Sequence, residues 1–286
     1  MPTRPTRGDP SPLRWLISVE LTRHRNNAGL SMSQVAEITG MTKAKLGHLE
    51  TGRQIQSASD IASLLTAYHV DRDTIDRLVA LSERADEAAW WTGSAHAIPE
   101  WFRIFAGLER IATREFVFEP LIITGLLQTE PYIRATSMAS LLVSAADVGR
   151  ITEQRLTRTQ RLTGDEPLEL HAVLTEAAVR MRVGDADVHR AQLAHLVEMA
   201  QRPNITIQVL RAEAGYHDAW QGQLILLDFA EVRSIGYSEV VDGAVYLQDP
   251  DQVRTCTLIA DQLCRLALDP DQSVELLGEL ADDITD

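Results

Sequence analysis

The sequence predicts two parts of different class: a mainly α five-helix bundle at the N-terminus, then an α+β domain with a small, mostly antiparallel sheet. Three observations carry this. Residues 1–53 hold eight basic and four acidic side chains, a net of +4, whereas the remaining 233 hold 19 basic and 37 acidic, a net of −18. Apolar residues recur at helical spacing through the first part, and short alternating runs replace them after Leu168. Glycine turn signals at Gly222, Gly236 and Asp242-Gly243 separate those runs.

Residues 1–12, rich in Pro and Arg, are expected to form a disordered arm. They lack the apolar stretch of a signal peptide, and no apolar run reaches the roughly 18 residues a membrane span needs. A cytoplasmic protein without membrane attachment is expected. Cys256 and Cys264 fall eight apart on a predicted helix, about 12 Å by the rise per residue, which is too far for a disulfide.

The first predicted domain covers residues 13–87. Its first helix, 13–27, places Leu13, Leu16, Ile17, Glu20, Leu21 and His24 on one stripe, and Gly29 suits a left-handed cap. In "SMSQVAEITG", Ser31 and Gln34 form a capping box, and the short helix stops at Gly40. Thr42 caps the next helix, whose inward residues are Leu46 and Leu49. Two short helices joined by a tight glycine turn read as a helix-turn-helix, in which the second helix enters the major groove of DNA. Lys43, Ala44 and His48 are left to face bases, with Thr42 and Lys45 beside them. Lys43 and Lys45 are the only lysines in the chain. Two apart, they diverge by about 200° around the helix axis, so one reaches a base edge while the other reaches a phosphate. A solvated face is the usual reading of two such lysines; the caps, the inward leucines and "ETG-R" select the groove. Gly47 costs about 1 kcal/mol against alanine inside a helix, which points to close approach by DNA or by the preceding helix. Two further helices, in "SASDIASLLTAYHV" and "DRDTIDRLVALSERADEAAWW", complete five.

The segment "AGLSMSQVAEITGMTKAKLGHLETGR" resembles the Cro/repressor-like, or Xre-type, helix-turn-helix family. That resemblance implies base contacts at Lys43, Ala44 and His48, and phosphate or adjacent contacts at Thr42, Lys45, Arg25, Ser31, Gln34 and Arg53. Met32 replaces a frequent phosphate-binding glutamine, Thr39 an apolar residue and Gly47 a small polar one.

The second predicted domain covers residues 88–286. Trp90-Trp91 and "IPEWFRIFAGLERIA" form an aromatic-rich stretch that reads as a hinge helix, with ligand stacking on Trp90 and Trp91 as the alternative. Pro120 and Gly125 interrupt an apolar segment before a helix near Thr129. Residues 147–162 carry Arg150, Arg155, Arg158 and Arg161, which predict an exposed basic face paired with nearby carboxylates. "LELHAVL", "ITIQVL", "GQLILLDF", "SIGYSEVV" and "AVYLQ" read as strands. Helices are predicted at 175–182, 186–201 and 251–267, and from an N-capping Ser273. The last 18 residues contain seven acidic and no basic side chains.

No catalytic motif, metal site or cofactor fingerprint stands out. His189 and His195, six apart, fall on different helix faces. His217-Asp218, in "AGYHDAWQG", forms either a ligand or partner site or a turn capped by its own side chains. The ordered set "GLER", "EPLIITGLLQTEPYIRA", "RLTRTQRLT", "TEAAVRMRVG", "RPNITIQVL", "AGYH" and "VYLQ" resembles the actinobacterial WhiJ-like, antitoxin-like Xre regulators, which join this head to a C-terminal domain of unknown function. The resemblance implies a transcriptional regulator often encoded beside a small partner protein; a non-enzymatic homodimer on a double-stranded operator, with a small-molecule effector as a further candidate, is expected. An antitoxin that autoregulates its operon, or an enzyme tethered to DNA, are the alternatives.

Overall fold

The computed structural model describes residues 12–83, 100–230, 232–241 and 243–285. Contacts divide the chain into two compact units, and the division falls inside one helix. Of the described residues, 12–83 and 100–108, together with those of Ala230–Arg233, belong to the first unit; Glu109–Phe229 and those from Ser234 onward belong to the second.

The first unit contains α1 (Pro12–Asn27), α2 (Met32–Thr39), α3 (Lys43–Leu49), α4 (Ala58–Ala67) and α5 (Arg72–Glu83). The predicted stripe of α1 is its buried face, with Leu16, Ile17 and Leu21 fully enclosed. Val35 of α2, Leu46 and Leu49 of α3, and Ile61, Leu64 and Leu65 of α4 are enclosed too, with α2 packed on α3 and α4, and α1 on α4 and α5. Each such side chain contributes roughly 1.5–3 kcal/mol on burial, and these contacts fix where the short α3 points. Gly29 and Gly40 adopt φ +68° and +71° with no space constraint, so a left-handed turn is what demands glycine at both.

Helix α6 (Glu100–Ile111) spans the division. The second unit holds a six-stranded mixed sheet in the order β3-β2-β1-β4-β5-β6. Its strands are β1 (Arg114–Glu119), β2 (Glu169–Thr175), β3 (Ile205–Leu210), β4 (Leu224–Asp228), β5 (Ile235–Val240) and β6 (Gly243–Leu247). Three of the five pairings are antiparallel, while β1-β2 and β2-β3 are parallel. The crossovers carry α7 (Glu130–Ala139), α8 (Val148–Thr159), α9 (Glu176–Arg180) and α10 (Ala186–Met199); α11 (Pro250–Leu266) and α12 (Pro270–Asp282) end the domain.

Successive residues of β1 serve opposite faces of the sheet. Phe116 and Phe118 join Val173, Leu224 and Leu226 beneath Cys256, Ala260 and Leu263 of α11. Glu115, Val117 and Glu119 point the other way and are also buried. The sequence pattern does not predict this strand, because two glutamates on its buried face disguise the alternation.

Two other expectations are corrected. The arginines of 147–162 do not form one exposed face. Arg158 is enclosed and donates to both carboxylate oxygens of buried Glu109, at 2.7 and 2.5 Å. Arg155 donates to Gln128 Oε1 at 2.9 Å, and Arg161 to the carbonyls of Ala112 and Glu166. Only Arg150 keeps the predicted exposed pairing, with Asp147. Ser273 is not the N-cap of the last helix. Asp269 caps it, and the buried Ser273 hydroxyl accepts from the Val209 amide at 2.9 Å while donating to the Asp269 carbonyl.

Candidate nucleic-acid interface

The turn between α2 and α3 is built from short-range bonds that the sequence spells out. The Ser31 hydroxyl accepts from the Gln34 amide at 3.4 Å, and Gln34 Oε1 accepts from the Ser31 amide at 2.9 Å. Gly40 sends its amide to the Ala36 carbonyl and turns the chain left-handed. Thr42 Oγ1 then accepts from the Lys45 amide at 3.2 Å and starts α3. Ser31 and Gln34 therefore serve each other, and Thr42 serves the backbone.

Leu46 and Leu49 anchor α3 in the core. Ala44 and His48 each stand about 200° around the axis from Leu46, and Lys43, Ala44 and His48 are all exposed. The three residues assigned to bases thus share one outward surface. Arg53, past the end of the helix, is exposed as well.

Lys45 is used differently. Its Nζ lies 2.6 Å from Asp60 Oδ1, at the start of α4. Lys43 has no such anchor among the described residues. The two lysines divide as their angular separation demands, one outward and one onto the protein's own scaffold.

Arg25 is also committed inside the bundle. It donates to both oxygens of Glu50, at 2.8 and 2.9 Å, and to the Leu30 carbonyl at 3.0 Å. Tyr68 and Thr22 donate to the same carboxylate at 3.2 and 3.4 Å. Burial, with Glu50 next to it, pushes the Tyr68 phenol well above its ordinary range. The Glu50 hydrogen bond raises the Arg25 value further. Glu50 caps α3, so this knot joins α1, the end of α3 and α4, and sets the angle at which α3 is presented. Glu50, Asp60 and Thr22 carry no marker of this role in the sequence, and Tyr68 reads only as one of a row with Ile61, Leu64 and Leu65 on one side of its helix. The glutamate of "ETG-R" was the available signal, but its partners lie 18 to 28 positions away.

Gly47 answers one expectation. A methyl group added there would meet only Met32 Cε, at 3.9 Å, which is ordinary contact. Close approach to α2 does not require the glycine.

Elsewhere, Trp90 and Trp91 lie outside the described residues. His217 packs edge-on against Phe118, with ring centroids 5.4 Å apart. Asp218 accepts from the Tyr216 hydroxyl at 3.1 Å, and its amide donates to Gln262 Oε1. These bonds order the turn with its own neighbours. Among the described residues, no cluster of His, Cys, Asp and Glu is arranged to hold a metal ion, and no helix is long and apolar enough to cross a membrane.

Capped short helices, a glycine turn and an outward row on the second helix define a helix-turn-helix regulator. A helix-turn-helix domain model matches residues 16–78. The model of a domain of unknown function, DUF5753, matches residues 102–279, more than half the chain, and the protein belongs to that family. No curated protein and no solved structure gives a significant match.

Proposed function

We propose that the protein is a sequence-specific, double-stranded-DNA-binding transcriptional regulator. The observation that carries this reading is the exposed row Lys43, Ala44 and His48 on a helix whose other side is anchored by Leu46 and Leu49. Lysine suits guanine acceptors or phosphate oxygens, and the methyl group of alanine suits an apolar contact in the major groove. One such helix covers few base pairs, so the protein acts as a homodimer on half-sites about 34–36 Å apart. The acidic C-terminal domain binds a small protein or a ligand rather than nucleic acid, which its charge disfavours.

The protein works in this reading without catalysis. Cys264 Sγ and His171 Nε2 stand 3.6 Å apart, the one arrangement among the described residues that resembles a nucleophile with its base. Gln208 Nε2 donates to the carbonyls of Cys264 and Leu268, which turns its Oε1 toward His171 Nε2 at 2.7 Å. That nitrogen therefore carries a proton and is not available to take one from the thiol. Burial also raises the Cys264 pKa. Both features support a structural pair.

Selection from a randomised duplex library, followed by retention assays with the recovered sequence, tests the proposal. A two-fold symmetric sequence, bound in preference to scrambled duplex, is the expected result. Recovery of no preferred sequence would sink the reading.

A further inference from the structure

The end of the C-terminal domain holds a partly open cavity with no role in DNA binding. It measures about 290 Å³, just below the roughly 300–1,000 Å³ of ligand sites. Val179 of α9, Arg182 just after it, His189 and Leu193 of α10, Leu280 of α12 and Ile284 line it. Arg190 donates to the Ile284 carbonyl at 2.8 Å, which fixes this last segment as a wall.

Three polar groups at the cavity are uncommitted. His189 is buried, at 4% exposure, and its Nε2 lies 3.1 Å from the Val179 carbonyl. A carbonyl only accepts, so Nε2 carries the proton, and Nδ1 of the neutral ring is a bare acceptor. Among the described residues Nδ1 has no partner. Burial lowers the pKa of this histidine, the Val179 bond opposes that, and nearby Arg182 lowers it further. The ring is therefore neutral at pH 7. The side chains of Arg182 and Asp283, both exposed, make no hydrogen bond or ion pair among the described residues, whereas Arg180 is held by Glu176 at 2.7 Å. The cavity thus offers one cation and one anion beside an aliphatic wall, with the unpartnered His189 Nδ1 buried beneath it.

A ligand of single charge would leave either Arg182 or Asp283 unmatched. We propose that the cavity binds an apolar α-amino acid as its zwitterion. The carboxylate meets Arg182, the ammonium meets Asp283, and the side chain lies on Val179, Leu193, Leu280 and Ile284. This rests on the reading of the C-terminal domain as a binding domain and names its ligand class.

The test uses the full-length, isotope-labelled protein titrated with L-leucine and L-phenylalanine, with 4-methylpentanoate and 3-methylbutylamine as single-charge analogues. Amide signals of residues 179–193 and 280–285 are expected to move with at least one amino acid, and each analogue to bind at least about fivefold more weakly. Arg182→Gln should bring the amino acid down to the level of the amine, and Asp283→Asn to that of the carboxylate. Both residues are exposed, so the remaining spectrum should be unchanged. The proposal is overturned if about 10 mM of both amino acids leaves those signals in place, or if an analogue binds as well as its parent. Retention of the selected duplex, measured on the same preparation, reports on the DNA reading separately.

Discussion

The two units handle a buried ion pair in opposite ways. In the helical head, Glu50 meets Arg25, Tyr68 and Thr22, so one carboxylate has a donor on every side. In the C-terminal domain, Arg158 satisfies Glu109, but Glu115 is buried close by with one oxygen unpartnered. Burial, then the charge of Glu109, pushes the Glu115 carboxyl well above its ordinary value, with Arg158 opposing. Glu119, four residues on, is driven to about 7 by burial, although a hydrogen bond from Gln223 opposes the rise. A buried charge is tolerated when matched, and a surplus carboxyl is tolerated by taking up a proton. The head is therefore electrostatically closed, while the C-terminal domain retains protons that it releases as the pH rises.

This contrast is broken most forcefully by Arg158→Met. The substitution leaves Glu109 without its cation and should cost the C-terminal domain about 3–5 kcal/mol, read as lost hydrogen-exchange protection over residues 109–229. Protection in α1–α5 should persist.

A smaller effect is expected from Glu119. Its folded pKa of about 7 lies above the ordinary 4.5, so its contribution is fully present below about pH 4.5 and is lost as pH climbs through 7. Between pH 5 and 8 the chain should lose about 2–3 kcal/mol more stability than the Glu119→Gln variant does. Urea unfolding at both pH values checks this, and parallel pH profiles would refute it.

The two lysines sharpen the comparison within the head. Lys43→Ala should weaken binding to the selected duplex at least about tenfold, and lower the log–log salt slope by about 0.9 where a phosphate is its target. Lys45→Ala should change affinity by less than about threefold, because its ammonium already serves Asp60. Equal losses for both would break the division of labour. The smallest effect belongs to Gly47→Ala, which should raise the stability of the head by up to about 1 kcal/mol, since the added methyl group fits. If that gain comes with weaker duplex retention, the glycine is kept for the groove and not for the fold.

The head was more legible in the sequence than the C-terminal domain, for a physical reason. Ser31 with Gln34, Gly40, and Thr42 with the Lys45 amide act within about one helical turn, so spacing alone encodes them. The Glu50 knot and the Lys45–Asp60 pair join distant positions, and spacing carries no trace of them. The same limit hid the depth of Arg158, whose partner lies 49 residues earlier. It also hid β1, where buried glutamates replace the apolar residues a central strand normally shows. The hairpin around Gly243 was visible because its turn is local, and Gly243 takes φ +148°.

The placement of β1 has a consequence for synthesis on the ribosome. This strand is made early, yet its neighbours in the sheet are β2 and β4, and β4 ends at Asp228. Its second edge therefore stays unpaired while more than a hundred further residues are translated, and such long-range closure is intrinsically slow. The helices that seat α3 all precede β1 in the chain, although the first unit also takes in residues 100–108 of α6 and Ala230–Arg233. A nascent chain thus carries a finished reading helix well before the acidic domain can fold.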